Sequence, residues 1–230
     1  WETNDTFRDN SGYKSFSIAP SLKWDVNADT TLTLLMEYDR REREGFDFGV
    51  PNLPNYKKFS RTRYFGLDHS YGALADYGTN DTYAATLIME HKINENWTWR
   101  EAGHYTYSLQ LSNQSFPNNY LYTGGDQLSY SSYAGADEHA FDAAIQSELL
   151  GKFDTGSLQH HVVIGAEASR LEHGFKGSTI RNYLVDLFDA HSHPLLDAPA
   201  SSLGGRTVTD NLGLYLQDLI DLTPSVKLLA

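Results

Sequence analysis

Hydrophobic and polar residues alternate with a period of two along several stretches of the chain. In the clearest stretch, residues 16–26, one side carries Phe16, Ile18, Pro20, Leu22, Trp24 and Val26. Successive side chains of a β-strand point to opposite faces of the sheet, so this pattern predicts a strand. The pattern recurs in residues 31–39, 82–93, 97–109, 141–153, 158–168 and 212–217, and Val226 begins another stretch. The sequence therefore predicts an all-β protein with seven strands and part of an eighth.

The connections between the predicted strands have two lengths, which follow each other in strict order. Short turns lie near 27–29, 94–96, 155–156 and 222–225, and long loops cover about 41–79, 112–138 and 172–206. In an antiparallel meander every second connection lies at the same end of the sheet, so all the long loops share one end. Short periplasmic turns opposite long extracellular loops are typical of an outer-membrane β-barrel. We therefore expect an antiparallel transmembrane β-barrel segment.

Aromatic residues near both ends of the predicted strands fit this interpretation. Trp24, Trp97 and Trp99 lie beside short turns, whereas Tyr105 and Tyr107 lie at the far end of the same face. Strands of this length, tilted by about 40°, cover roughly 20–25 Å along the membrane normal, which matches an apolar band between two aromatic girdles. A soluble β-sandwich with these rings in its core is the alternative. A sandwich, however, would not require three long loops on one side.

The turn at 94–96 also predicts a register. If Ile93 lies opposite Trp97, then Glu90 lies opposite Arg100 on the polar face, where unlike charges form a favourable cross-strand pair. The same register places Tyr83 beside Tyr107 on the lipid side. It also places Glu101 there, which is unfavourable for a carboxylate.

Composition excludes several classes of protein. The chain has 230 residues, of which 30 are acidic and 18 basic, giving a net charge of −12. Its mean hydropathy is −0.49, and no run approaches the roughly 18 apolar residues of a membrane-spanning helix. Such an acidic chain is a poor partner for nucleic acid. Cysteine is absent, which excludes disulfides and thiolate metal sites.

Motifs for enzymatic chemistry are missing from the sequence. There is no G-x-S-x-G, phosphate-binding loop or G-x-G-x-x-G segment. The histidine pairs His160–His161 and His191–His193 are weak metal signals, because each lacks a third ligand. Acidic residues that would face a barrel lumen are expected to be solvated: Glu37, Asp39, Glu90, Glu148 and Glu167. The run Arg40–Glu44 is expected to be a solvated, self-paired rim. We predict no enzyme, no catalytic residue, no protein metal ligand and no cofactor.

Several short segments resemble the barrel of TonB-dependent siderophore receptors of the ferrichrome or hydroxamate type. In order, they are Thr6–Asp9, Ile18–Trp24, Glu90–Ile93, Trp97–Arg100, His161–Glu167 and Gly213–Asp218. The resemblance implies a 22-stranded barrel that holds an N-terminal plug. The chain contains about 7–8 of these strands and shows no plug, TonB box or C-terminal aromatic strand. We therefore expect an internal piece of the barrel, which would not fold stably alone in water because its apolar face and two edges stay exposed.

The resemblance also implies a function and partners. The protein would bind and import a ferric siderophore across the outer membrane of a Gram-negative bacterium. Its partners would be outer-membrane lipid and, through the plug, the TonB energy-coupling protein. Gly45–Pro51 resembles the aromatic loop of ferrichrome-type receptors but lacks Trp and Tyr. The candidate ligand-binding residues in the long loops are Phe46, Phe48, Tyr120 and Tyr122.

The sequence leaves three alternatives open. The first is a TonB-dependent importer of another cargo, such as cobalamin or a glycan. The second is a passive porin or an adhesin barrel, which would need no plug. The third is a soluble β-rich binding domain or an enzyme, which would stay soluble and monodisperse without detergent.

Overall fold

The computed structural model describes residues 1–8, 11–45, 76–117, 127–177, 180–186 and 204–230. Within these ranges the chain forms strands and turns and no helix. The strands are β1 (Glu2–Asp5), β2 (Gly12–Ile18), β3 (Ser21–Asp25), β4 (Thr30–Glu44), β5 (Tyr77–Lys92), β6 (Trp97–Pro117), β7 (Gln127–Thr155), β8 (Leu158–Lys176), β9 (Ile180–Asp186), β10 (Gly204–Thr223) and β11 (Val226–Leu229).

All strands belong to one antiparallel sheet, ordered β1-β2-β4-β5-β6-β7-β8-β10-β11. β3 pairs with β4, and β9 pairs with β7. The predicted all-β antiparallel architecture is confirmed. Among the described residues no helix is long and apolar enough to span a membrane.

The predicted short turns are present and stabilised by local hydrogen bonds. Between β5 and β6 the side-chain oxygen of Asn94 accepts the backbone N–H groups of Asn96 and Trp97, at 2.9 and 3.0 Å. Between β7 and β8 Gly156 has a φ of 66°, a left-handed conformation that costs glycine little. These turns fix the register of each hairpin, and the predicted pairs Glu90–Arg100 and Tyr83–Tyr107 are both observed.

The first predicted strand, residues 16–26, is divided into β2 and β3 at Ala19–Pro20. Proline has no N–H to donate to the ladder, which explains the interruption. The register does not change across it, because Ile18 pairs with Tyr38 before the break and Ser21 pairs with Leu35 after it. Two residues separate these pairs on each strand, and Met36 N–H donates to the Pro20 carbonyl at 3.0 Å.

β9 continues β8 along β7 without a change of register, as β3 continues β2 along β4. Asp137 pairs with Lys176 at the end of β8, and Tyr133 pairs with Ile180 at the start of β9, so β7 keeps one register along both. β7 has 29 residues, far more than the about 9–11 that cross a bilayer. At about 3.3 Å per residue it is roughly 95 Å long, so much of it extends beyond the apolar band.

The strands therefore continue into the segments predicted as long loops. β4 extends to Glu44, β6 extends to Pro117, and β7 begins at Gln127. Beyond the membrane both faces of a strand meet water, so the hydrophobic alternation that reveals a strand disappears. This explains why the sequence pattern made these strands too short.

Hydrophobic side chains of the described residues lie mainly on one exposed face and not in a core. Buried hydrophobic residues in the described part are limited to Tyr130, Val162 and Val185. By contrast, Leu212 and Leu214 are 80% and 81% exposed. The registers place these leucines on the same face as Leu34, Leu87, Ile145 and Ile164. We call this the outward face and the opposite one the inner face.

Candidate functional site

The four predicted ligand-binding residues, Phe46, Phe48, Tyr120 and Tyr122, lie outside the described residues, and so do His191 and His193. The structure neither brings them together nor separates them. What it does describe is the wall of the candidate site: an outward face, an inner face and the rim where β4, β5 and β6 approach the long connections.

Aromatic residues border the outward face at both ends. At one end, register pairing aligns Tyr38, Tyr83, Tyr107 and Phe141 in one row, and the Tyr38 and Tyr83 rings stack at 4.9 Å. At the short-turn end Trp97 stacks on Phe153 with ring centroids 6.1 Å apart. Trp99 and Tyr107 are eight residues apart on β6, which corresponds to roughly 20 Å along the normal of a tilted strand. The apolar band of outer-membrane barrels is about 25 Å tall, so the two rings lie near its edges.

Glu101 lies within this band, as the register predicted, between Met89 on β5 and Ser147 on β7. Ser147 also accepts the Trp99 indole N–H at 3.1 Å. A carboxylate on a lipid face costs less than Lys or Arg, so this position is unfavourable but compatible with a membrane strand.

Ion pairs on the outward face lie beyond the aromatic row on β4 and β5, and at or next to the row on β8 and β10, where Glu172 is the register partner of Phe141. Arg40 pairs with Glu42 at 2.8 Å and with Asp81 at 3.3 Å. Arg206 binds Glu172 through two hydrogen bonds of 2.6 Å. Ion pairs that are partly open to solvent add little stability.

The inner face carries a hydrogen-bonded network along a single row of the sheet. Register pairing connects Glu90, Arg100, Glu148, Gly165 and Tyr215 in that order across β5, β6, β7, β8 and β10. Arg100 pairs with Glu148 at 2.9 Å, and the Tyr215 hydroxyl donates to the other oxygen of Glu148 at 2.7 Å. The Glu148 side chain is only 11% exposed.

This network changes two expectations. Arg100 lies opposite Glu90 as predicted, yet its ion pair is with Glu148 on the other neighbouring strand. Glu148 was expected to be solvated, but it is held by Arg100 and Tyr215. Tyr215 reaches it by crossing β8 above Gly165, where a side chain would block the ring.

The run Arg40–Glu44 is part of β4 and not a loop, so alternation sorts its charges by face. Arg40, Glu42 and Glu44 lie outward, where Arg40 binds Glu42 and Glu44 binds Lys14 at 2.6 Å. Arg41 and Arg43 lie inward and are exposed. Within the run, the expected self-pairing is seen between Arg40 and Glu42 on the outward face. Extending the period of two beyond Asp39 in the sequence would have placed Arg41 and Arg43 on one face and Glu42 and Glu44 on the other.

Arg41 and Arg43 border a cavity of about 170 Å³ at the inner rim. Its other described lining residues include Gly78, Asn80, Gln110 and Ser112. Registers explain the grouping, because Arg41, Asn80 and Gln110 form one row and Arg43, Gly78 and Ser112 form the next. We call these six residues the rim pocket; sequence reasoning did not identify it.

The adjacent histidines lie on opposite faces, as strand alternation requires. His160 faces outward, stacks on Phe153 and contacts Asp218 through Nδ1 at 2.6 Å. His161 faces inward, with Nε2 3.8 Å from Asp221. The part of the chain that the structure describes contains no group of three or more His, Asp or Glu side chains placed to hold a metal ion.

Comparisons with known structures show which class of protein has this fold. The open form of the ferric-catecholate import receptor Fiu from Escherichia coli K12 matches 98% of the chain with a TM-score of 0.76 and 21% identity, over 37% of that structure. FpvA of Pseudomonas aeruginosa, bound to a heterologous pyoverdine, matches 99% of the chain with a TM-score of 0.80 and 17% identity, over 30% of that structure. The chain is a segment of an outer-membrane β-barrel.

Sequence relatives make the class more specific. The metal-pseudopaline receptor CntO of P. aeruginosa strain UCBPP-PA14 is 30% identical over 229 residues, which cover 96% of the chain and 31% of the relative. The catecholate siderophore receptor Fiu of E. coli K12 is 25% identical over 248 residues, covering 99% and 32%. No family model matches the sequence. The chain is homologous to part of the barrel of TonB-dependent siderophore receptors, and it spans about a third of the length of these curated relatives.

Proposed function

We propose that this chain forms part of the wall of a receptor that binds a ferric siderophore outside the cell and imports it by a TonB-dependent mechanism. The observation that carries the proposal is a sheet whose apolar face is exposed while its polar face holds a satisfied network, in a chain similar over 96% of its length to a receptor of this group. In this proposal the iron complex is cargo, and the siderophore supplies the iron ligands.

The wall, the loops and the plug would each have a different role in this function. The outward face would anchor the protein in lipid, and the inner face would surround a plug that contacts TonB. Phe46, Phe48, Tyr120 and Tyr122 would contact the ligand from the long connections. Tyr and Phe rings provide rigid contact area at low conformational cost.

The direct test is uptake of ⁵⁵Fe-labelled siderophores by cells that produce the full-length receptor and lack their own siderophore receptors. We expect uptake of at least one ferric siderophore, abolished when TonB is deleted. Uptake that continues without TonB would instead indicate a passive pore. TonB-dependent uptake of cobalamin or a glycan, with none of iron complexes, would support the alternative cargo.

Removing both rings in Tyr120→Ala with Tyr122→Ala should weaken binding of the transported complex by about 10-fold or more, because each lost contact in a buried aromatic patch costs about 1–2 kcal/mol. The measurement is ligand-dependent quenching of Tyr and Trp fluorescence in the purified full-length receptor. Tyr105→Phe, on the outward face, is the control and should bind like the wild type. Equal affinity of the double variant and the wild type would remove these two residues from the site.

A further inference from the structure

The rim pocket combines two guanidinium groups with neutral polar side chains. Arg41 and Arg43 are two residues apart on one face of β4, so both side chains project to the inner side of the wall. Arg41 forms no ion pair with any described residue; its guanidinium lies 5.9 Å from the centre of the Tyr13 ring. The acids of the same segment, Glu42 and Glu44, lie on the opposite face.

The neutral groups of the pocket retain hydrogen-bond donors. The side-chain oxygen of Asn80 accepts the Ser108 hydroxyl at 3.0 Å, which leaves the Asn80 NH₂ group as a donor. Ser112 accepts from Gln114 Nε2 at 3.2 Å, so its own hydroxyl hydrogen can be donated elsewhere. Among the described lining residues there is no carboxylate.

Acidic residues nearby lie outside the pocket lining. Asp39 precedes Arg41 by two residues on the inner face, and Glu138 pairs in register with Gln110. The negative charges of Asp39 and Glu138 weaken the attraction of the two arginines for distant anions. The pocket therefore favours anions that contact the arginines directly. Arginine offers a planar fork of N–H donors that matches a carboxylate through two parallel hydrogen bonds.

We propose that the rim pocket binds a free carboxylate of the transported metal complex, so that the receptor prefers carboxylate-bearing complexes to neutral hydroxamate complexes. The inference rests on the proposed function, because it concerns the cargo of the same receptor. A cavity of about 170 Å³ accommodates a carboxylate arm and leaves the metal-bearing body of the complex in the lumen.

The test compares two iron complexes on the full-length receptor: ferric citrate, which is rich in carboxylates, and ferrichrome, a neutral trihydroxamate. The variants are Arg41→Gln with Arg43→Gln, and Arg40→Gln as the matched control on the outward face. We expect the wild type to bind ferric citrate more tightly, the double variant to bind it at least 10-fold more weakly, and Arg40→Gln to leave it unchanged. Ferrichrome binding should differ by less than 2-fold among the three proteins.

Four results would overturn the inference: preference of the wild type for ferrichrome, binding of neither complex, an equal loss for both complexes, or no loss in the double variant. None of them alone overturns the proposed function, which is decided by TonB-dependent uptake of a broader set of ferric siderophores. Heat-modifiable gel mobility must be the same for all variants, and a second double variant, Arg41→Lys with Arg43→Lys, checks folding while keeping the charge. That variant should recover part of the ferric citrate binding.

Discussion

Replacing Leu87 with arginine should destabilise the receptor by roughly 2–4 kcal/mol, whereas the same change at the next residue should cost far less. Leu87 lies near the middle of β5 on the outward face and is 49% exposed. Ile88 follows it on the inner face, opposite Ala102. An arginine at position 87 has to enter hydrocarbon, and an arginine at position 88 enters a polar lumen. We expect Ile88→Arg to cost about 1 kcal/mol or less.

The measurement is the free energy of unfolding in urea, with the full-length receptor folded into phospholipid vesicles and folding followed by gel mobility. Because the two positions are adjacent, they share local sequence, strand and distance from the turns. Similar costs for both variants would contradict the assignment of an outward and an inner face. A larger cost at Ile88 would mean that the faces are reversed.

Replacing Gly165 with alanine should destabilise the protein by about 1–3 kcal/mol, the usual cost of forcing an extra methyl group into a packed site. An added Cβ would overlap the Tyr215 ring, which lies directly across Gly165. The ring cannot easily move, because its hydroxyl donates to Glu148 at 2.7 Å and accepts from Gln146 at 2.6 Å. Displacing it would also expose the Glu148–Arg100 pair.

Gly213 provides the matched control, since it is an inner-face glycine of the neighbouring strand and an added Cβ meets no atom within 4 Å. Gly213→Ala should be neutral or slightly stabilising, because alanine loses less backbone entropy on folding. Urea unfolding followed by tryptophan fluorescence separates the two variants. If both glycines tolerate alanine equally, the Tyr215 ring does not lie across Gly165.

The sequence alone was sufficient for the antiparallel order of the predicted strands. A period of two identifies the strands, and turn residues such as Asn94 and Gly156 fix the registers between neighbouring strands. For that reason the Glu90–Arg100 and Tyr83–Tyr107 pairs could be predicted from one turn. These features depend on local sequence, or on pairs whose separation the turn determines.

Features that depend on more than one register were beyond the sequence pattern. The contact of Tyr215 with Glu148 crosses β8, so predicting it requires two registers and the absence of a side chain at Gly165. The rim pocket requires knowing that β4 continues past Asp39, where hydrophobic alternation has ended. The ligand-contacting aromatic residues, Phe46, Phe48, Tyr120 and Tyr122, stay a prediction.

The unchanged register across the Ala19–Pro20 break restricts how this wall can vary in length. Two residues on β4 face the two unpaired residues of the break, so the count matches on both sides. One inserted residue would turn the Phe16 and Ile18 side chains from the outward, lipid-facing side to the inner side of the sheet. Ser15 and Ser17 would then face the lipid in their place. Insertions or deletions at Ala19–Pro20 should therefore be tolerated only when they change the length by an even number of residues. A library of insertions at this position would reveal this pattern.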